Sequence, residues 1–369
     1  MKKTLIALAA LAATGAFAQS SVTLYGTVDA GLNHMKGNGN TVTSVNNSQL
    51  GSSKLGFMGT EDLGGGLKAI FKLEGGLKNE SGNGKTSNTN NQSTGLNTAT
   101  ANGSQGLDFQ RYSYVGLAGN FGELHIGREY IQSFQLGEGV LDVFGTNGPA
   151  SATNMFYKLA GGAIVGLNTS NMLTYISPVG PVQGGVQYFL GGNTAASTVA
   201  VGHNDGTGYS AYLAYNQGPV FIDIAASKTE YLVAGDYKVV AFNASYDFGK
   251  AKVMYTYAKE QQAATVATAN TTNELGVSVP MGATTWKASY IHANRTGNTT
   301  STSLVSAAGT GNQYGLGVDY ALSKRTKLYT TVAEVTNNGS GNGLFSTGTV
   351  GASTGSKSGN IAIGVFSAF

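Results

Sequence analysis

The chain has no cysteine, five prolines, one tryptophan and few charges, and each shortage removes a class of protein. Without cysteine there can be no disulfide framework, no thiolate nucleophile and no cysteine-ligated metal. Charged residues make up 11% of the 369 residues, where a soluble domain usually has about a quarter. Basic and acidic residues nearly cancel at 22 against 19, which argues against a nucleic-acid partner. Beyond the N-terminus no stretch reaches the ~18 consecutive apolar residues of a transmembrane helix, so any membrane crossing must be built from strands. The four histidines, His34, His125, His203 and His292, are isolated and show no metal-ligand spacing. No P-loop or dinucleotide fingerprint occurs, and no cofactor, metal or catalytic residue is expected.

What is present is glycine, 55 residues, with abundant Asn, Thr and Ser and 19 tyrosines. Such a chain is either disordered or wraps polar loops around a sheet, and regular strands exclude disorder. At the N-terminus, Lys2-Lys3, an apolar run from Leu5 to Phe17 and the small-residue pattern Ala16-Phe17-Ala18 read as an export signal cut between Ala18 and Gln19. The run is too short for a membrane anchor. The expected organisation is therefore a signal over 1–18 and a β-barrel over 19–369, with a mature formal charge of +1 once Lys2 and Lys3 are removed.

The organising signal is alternation at period 2 in segments of about ten residues, the pattern of a membrane barrel. Val22, Leu24, Gly26, Val28, Ala30 and Leu32 share one face, and Thr23, Tyr25, Thr27, Asp29 and Asn33 the other. The same holds for Val240, Phe242, Ala244, Tyr246 and Phe248, for Tyr314, Leu316, Val318, Tyr320 and Leu322, and for Ile361, Ile363 and Val365. A soluble sandwich would also alternate. Connection lengths favour the barrel. Tight turns near 62–66, 119–122, 179–181, 217–219, 248–250, 281–283 and 323–325 alternate with longer loops, as the two rims of an outer-membrane barrel require. Aromatic pairs near segment ends, Tyr246 with Phe248 and Phe366 with Phe369, read as outward girdle residues. The count is about sixteen strands, an all-β transmembrane antiparallel barrel with an open lumen. Residues 130–171 are only partly strand-like, and Leu77 to Asp108 reads as a solvated loop.

The segments SSVTLYGTVDAGL, SSKLGFMGTEDLGGGLKAIFKLE and RYSYVGLAGNFGELHIGRE, with the terminal Phe369, resemble the trimeric general porins of β-proteobacteria. The resemblance implies sixteen strands, a homotrimer and an inward-folded third extracellular loop. It also implies partners: outer-membrane lipid and lipopolysaccharide, the barrel assembly machinery, and small hydrophilic solutes and ions. Phe369 stands where the family carries its assembly signal. Lys54 and Met58 fill positions where the family usually has arginine, which weakens the expected anion preference.

Lys54 alternates with Leu55 and Phe57, and Lys72 with Phe71 and Leu73, so with those apolar residues toward lipid both lysines face the lumen. A cation on the lipid side would cost ~2 to 4 kcal/mol at the midplane. Arg111 matches the family's basic residue before YVGL, although by strict alternation Val115 and Leu117 would share its face. Arg128 shares parity with Leu124 and Ile126 and needs a break at Gly127 to point inward. These four form the expected basic wall. Glu129, Glu138 and Asp142, in EYIQSFQLGEGVLDVFG, form the expected acidic loop across the lumen, and the two together would set up a transverse field. Rim charges in water are the bland alternative for all of them, while Glu61 and Asp62 belong to a turn. Passive diffusion of hydrophilic solutes is the function expected. A substrate-selective channel is the alternative, disfavoured because no lumen-facing aromatic slide is visible apart from Tyr25 and Tyr329; a barrel hydrolase is a remote third.

Overall fold

The structure is a computed structural model, and it describes residues 20–85, 106–135, 141–156, 159, 166–191, 205–232, 234–262, 268–297, 308–338, 345–348 and 357–369. The expected export signal and the Ala18–Gln19 junction lie outside the described residues, as does Glu138.

Sixteen antiparallel strands close into one barrel. They are β1 (Ser21–Gly37), β2 in two arms (Asn40–Asn47 and Lys54–Gly64), β3 (Leu67–Lys78), β4 (Tyr112–Gly119), β5 (Gly122–Tyr130), β6 (Asn168–Ile176), β7 (Val182–Phe189) and β8 (Gly208–Gln217). There follow β9 (Val220–Thr229), β10 (Tyr237–Asp247), β11 (Lys252–Gln262), β12 (Thr268–Met281), β13 (Thr284–Thr296), β14 (Gly309–Ala321), β15 (Thr326–Asn338) and β16 (Lys357–Ala368). Each strand pairs with its chain neighbours, and β16 returns to β1 in a register running from Thr27↔Ala368 to Gly37↔Ser358. Closure excludes the sandwich reading, because a sandwich keeps edges. The seven short turns join β2 to β3, β4 to β5 and so on to β14–β15, all at one rim. That rim is the periplasmic one.

Alternation decides which side chain meets which solvent. Val22 at 68%, Ile126 at 63% and Leu316 at 65% are among the most exposed residues, and an apolar belt this wide on a barrel's outside is compatible only with lipid. Facing inward along the strands are Asp29, Asn33, Thr174, Asn243 and Gln313, all buried. Phe366 departs from the girdle expectation. It pairs with inward-facing Asp29 and lies over Gly51, while Phe369 keeps the outward face shared with Ile363 and Val365.

The break in β2, residues 48–53, is held by a residue from the strand beside it. The Asp29 carboxylate accepts the backbone N–H groups of Leu50 and Gly51, the latter at 2.8 Å, and the Tyr329 hydroxyl of β15 donates to it at 2.6 Å. Between β5 and β6, the described residues of 131–156 contribute one short helix, α1 (Gln132–Gln135), and one 3-10 turn, Ala152–Asn154. Among the described residues this region adds no strand, so the count stays at sixteen. The segment bonds to inward-facing side chains of distant strands: Gln132 N to Gln187, Ser133 to Ser227, Asn154 to Gln313, and Asn270 to the Met155 carbonyl. Leu141, Val143, Phe144, Met155 and Phe156 fill the space between it and the wall, and that is where the apolar core sits.

Candidate functional site

The inward face of β3 presents Lys72 and Glu74, two residues apart and therefore on one side of the sheet. In register, Lys72 lies between Met58 and Tyr114, and Glu74 between Gly56 and Tyr112. Gly56 matters here because any side chain at that position would collide with the Tyr25 ring, which lies across it from β1. Tyr25 thereby reaches Glu74 and donates its hydroxyl at 2.8 Å. The same carboxylate accepts Arg111 Nε at 2.5 Å and meets Lys54 Nζ at 3.3 Å. Glu74 is 1% exposed, so a buried anion organises the cations around it.

Of the four expected cations, the structure gathers three. Lys54, Lys72 and Arg111 share the neighbourhood of Glu74, with Lys72 Nζ 3.7 Å from the Tyr112 ring centroid and the Arg111 guanidinium 5.2 Å from that of Tyr130. Arg111 escapes the parity problem because it precedes β4. Val115 and Leu117 point outward at 60% and 41% exposure while Arg111 reaches inward. Arg128 is buried, donating Nε to the Gln110 carbonyl and Nη1 to Ser170, both at 2.7 Å. The expected break is at Gly127, whose φ of 148° suits glycine, and the register with β6 slips between Gly127 and Glu129.

The acidic residues do not sit where the alternation of strand and loop suggested. The strand continues to Tyr130, so Glu129 belongs to β5, on the same wall as the cations, and bonds His125 Nδ1 at 2.9 Å. His125 Nε2 meets Glu123 at 3.0 Å. Asp142 turns into its own loop and accepts the backbone N–H groups of Phe144, Thr146 and Ala152, each at 2.8 Å. Burial pushes the Asp142 carboxyl above its ordinary range, and those three donors draw it back. On the far wall Lys287 of β13 is neutralised by Asp319 of β14 at 2.7 Å.

Two elements of this wall were not anticipated. One is Glu74, whose shared parity with Lys72 was the available signal. The other is a run of inward aromatics where none was expected: Tyr112, Tyr114 and Tyr130, with Tyr114 stacked on His125 at 4.2 Å and Tyr130 stacked on Phe134 at 5.6 Å.

Residues 4–340 match the family model described as Gram-negative porin. The outer membrane porin protein 32 of Delftia acidovorans is 32% identical over 349 residues, covering 91% of this chain and 90% of that protein. The major outer membrane protein P.IB of Neisseria meningitidis serogroup B, strain MC58, is 28% identical over 346 residues, covering 88% and 91%. Among solved structures, an anion-selective porin from Comamonas acidovorans superposes with a TM-score of 0.76 at 26% identity, covering 95% of this chain and all of that one. An outer membrane protein of Vibrio cholerae shares the fold with a TM-score of 0.63 at 13% identity, covering 95% and 98%.

Proposed function

The chain belongs to the Gram-negative porin family, and from that premise we propose that it is an outer-membrane general porin with a modest preference for anions. Its place in the Gram-negative outer membrane and its role as a passive pore for ions and small hydrophilic solutes follow from the family and from its relatives. Its work is passage; no bond is made or broken. The observation that carries the anion preference is the inward cluster of Lys54, Lys72 and Arg111, three cations held against the single carboxylate of Glu74. Fixed charges on low-dielectric walls act more strongly on a passing ion than the same charges on an open surface. The selectivity of the Comamonas structure points the same way.

We assign the narrow part of the lumen to the space between this cluster and the segment 131–156, the third extracellular connection, on the strength of that segment's bonds to inward side chains. The further parts of the assembly are read similarly: a homotrimer in outer-membrane lipid and lipopolysaccharide, exported through a signal cut between Ala18 and Gln19 and folded by the barrel assembly machinery with Phe369 as its mark. Purified protein in a planar bilayer under a salt gradient tests the central reading, which predicts an ohmic pore whose reversal potential has the anion sign. Cation selectivity would refute the role given to the cluster. An unheated detergent extract should migrate as an oligomer and collapse to a monomer on boiling. N-terminal sequencing of the outer-membrane form should begin at Gln19.

A further inference from the structure

A continuous row of inward side chains crosses the wall from β3 to β5, and the anion preference uses only one end of it. The row begins at Lys72, over the Tyr112 ring, and passes from Tyr112 to Tyr114, whose centroids are 6.3 Å apart. It continues to His125, stacked on Tyr114 with 9° between the planes, and ends at Glu123 and Glu129, both bonded to His125. One end is cationic, with Lys54, Lys72 and Arg111 against Glu74. The other is anionic in either protonation state of His125, since two carboxylates outweigh one imidazole. Aromatic surface lies between.

The acidic end opens into a cavity of about 560 Å³ at the periplasmic rim, lined also by Gln132, Gln183 and Tyr212. Gln132 is 3% exposed, and its side-chain oxygen has no hydrogen-bond partner. A buried acceptor left without a donor beside two carboxylates calls for an N–H-rich, positively charged group.

We propose that this row is a binding track for short zwitterionic peptides of two or three residues. The peptide carboxylate is held at Lys72 and Arg111, its ammonium group at Glu123 and the Gln132 oxygen, and its apolar part rests on Tyr112 and Tyr114. Length selects the class. Strands β3 and β5 are two spacings apart, roughly 10 Å. Extended chain covers ~3.3 to 3.6 Å per residue, so two or three residues span the poles once the long Lys and Glu side chains lean inward. A free amino acid, with both charges on one carbon, reaches only one pole. A simple anion uses the basic end alone and a simple cation the acidic end alone. Binding that is favourable yet weak speeds entry without blocking exit.

This inference rests on the porin reading, and its test separates the two. The probe is glycyl-phenylalanine in four forms: free, N-acetylated, C-amidated and capped at both ends, each added to single channels of the purified full-length protein. The readout is the dwell time of current blockades. The free dipeptide should dwell about tenfold longer than the doubly capped form, the net effect of holding both charged ends at once, and each single cap should remove most of the gain. Glu123→Gln should abolish discrimination against the N-acetyl form while leaving ion conductance intact. Lys72→Met, which also weakens the anion preference, should abolish discrimination against the amide, read as the ratio of dwell times of the amidated and free forms within that variant. Conducting channels in which the N-acetyl and free forms dwell equally would overturn the two-pole track while leaving the porin reading standing. Absence of any conductance would instead overturn the porin reading.

Discussion

Glu74→Gln isolates the electrostatics of the cluster, because it removes a charge and keeps a shape. Among the described residues the carboxylate is the one acid bonded to Lys54 and Arg111, so the substitution raises the formal charge of the Lys54–Lys72–Arg111–Glu74 group from +2 to +3. A unit charge about 8 Å from a permeating ion contributes about 0.5 kcal/mol in water. The sign reverses between anion and cation, so their difference moves by about 1 kcal/mol for each fixed charge. At ~0.1 M salt the Debye length of ~10 Å reduces this to about half, leaving roughly a twofold rise in the anion-to-cation permeability ratio. At ~1 M, where the Debye length is ~3 Å, the rise should vanish. The assay is the reversal potential in a chloride gradient, measured near both concentrations on protein that passes the unheated-gel test for folding. The gel matters because breaking a buried pair costs about 3 to 5 kcal/mol, and a misfolded fraction must not be recorded. The side-chain amide still accepts the Tyr25 hydroxyl, which limits rearrangement. A ratio unchanged at low salt would show that ions do not pass near Glu74, and a rise that persisted at high salt would show that pore shape, not charge, had changed.

Arg111→Gln should lower the same ratio by a comparable factor, whereas Arg128→Gln should leave it unaltered and reduce heat resistance, since Arg128 ties the Gln110 carbonyl to Ser170; equal effects on selectivity would contradict this division of labour. Asp142→Ala removes three charge-assisted contacts to the backbone, each worth about 1.5 to 3 kcal/mol, so open-channel current noise should increase while mean conductance changes little. A quiet trace from that variant would mean that the packing of Leu141, Val143 and Phe144 alone fixes the segment. Deleting Phe369 takes away both backbone bonds to Gly26 and the outward ring, and should leave secretion intact while lowering the folded outer-membrane fraction; unchanged yield would reduce the residue to a girdle aromatic.

Much of the barrel could be read from residues because its physics is periodic. Lipid outside and water inside impose one rule on every strand, and the seven tight turns mark where the rule restarts. Gly127 was legible for the same reason, as the place where Arg128 needed a break in parity. The failures share one cause, which is contact between residues far apart in sequence. Residues 48–53 announce the break in β2 only locally, through Ser48 and Ser53, since the carboxylate that holds it is that of Asp29 on β1, steadied by Tyr329. Phe366 looked like a girdle residue by type, yet its parity, opposite to that of Ile363 and Val365, already placed it inward. The aromatic row was hidden similarly: Tyr112 and Tyr114 share a face, but that the face is the lumen became plain only from Val115 and Leu117 opposite. Glu129 needed the end of β5, and a strand end is where local patterns say least.

The seam between β1 and β16 sets a timetable for the molecule's birth. Its eleven register pairs join residues 27–37 to 358–368, so the first strand waits for the last before it has its second neighbour. Bringing together chain ends more than three hundred residues apart costs about 5 kcal/mol in loop entropy, a toll no intermediate recovers until the final strand arrives. Asp29 doubles the dependence, because one of its donors, Tyr329, sits on the penultimate strand. A nascent chain stalled short of its end therefore keeps an open edge and an unanchored β2, and is recognisable as unfinished. In this architecture length itself works as quality control: a chain without its last strand cannot close the barrel.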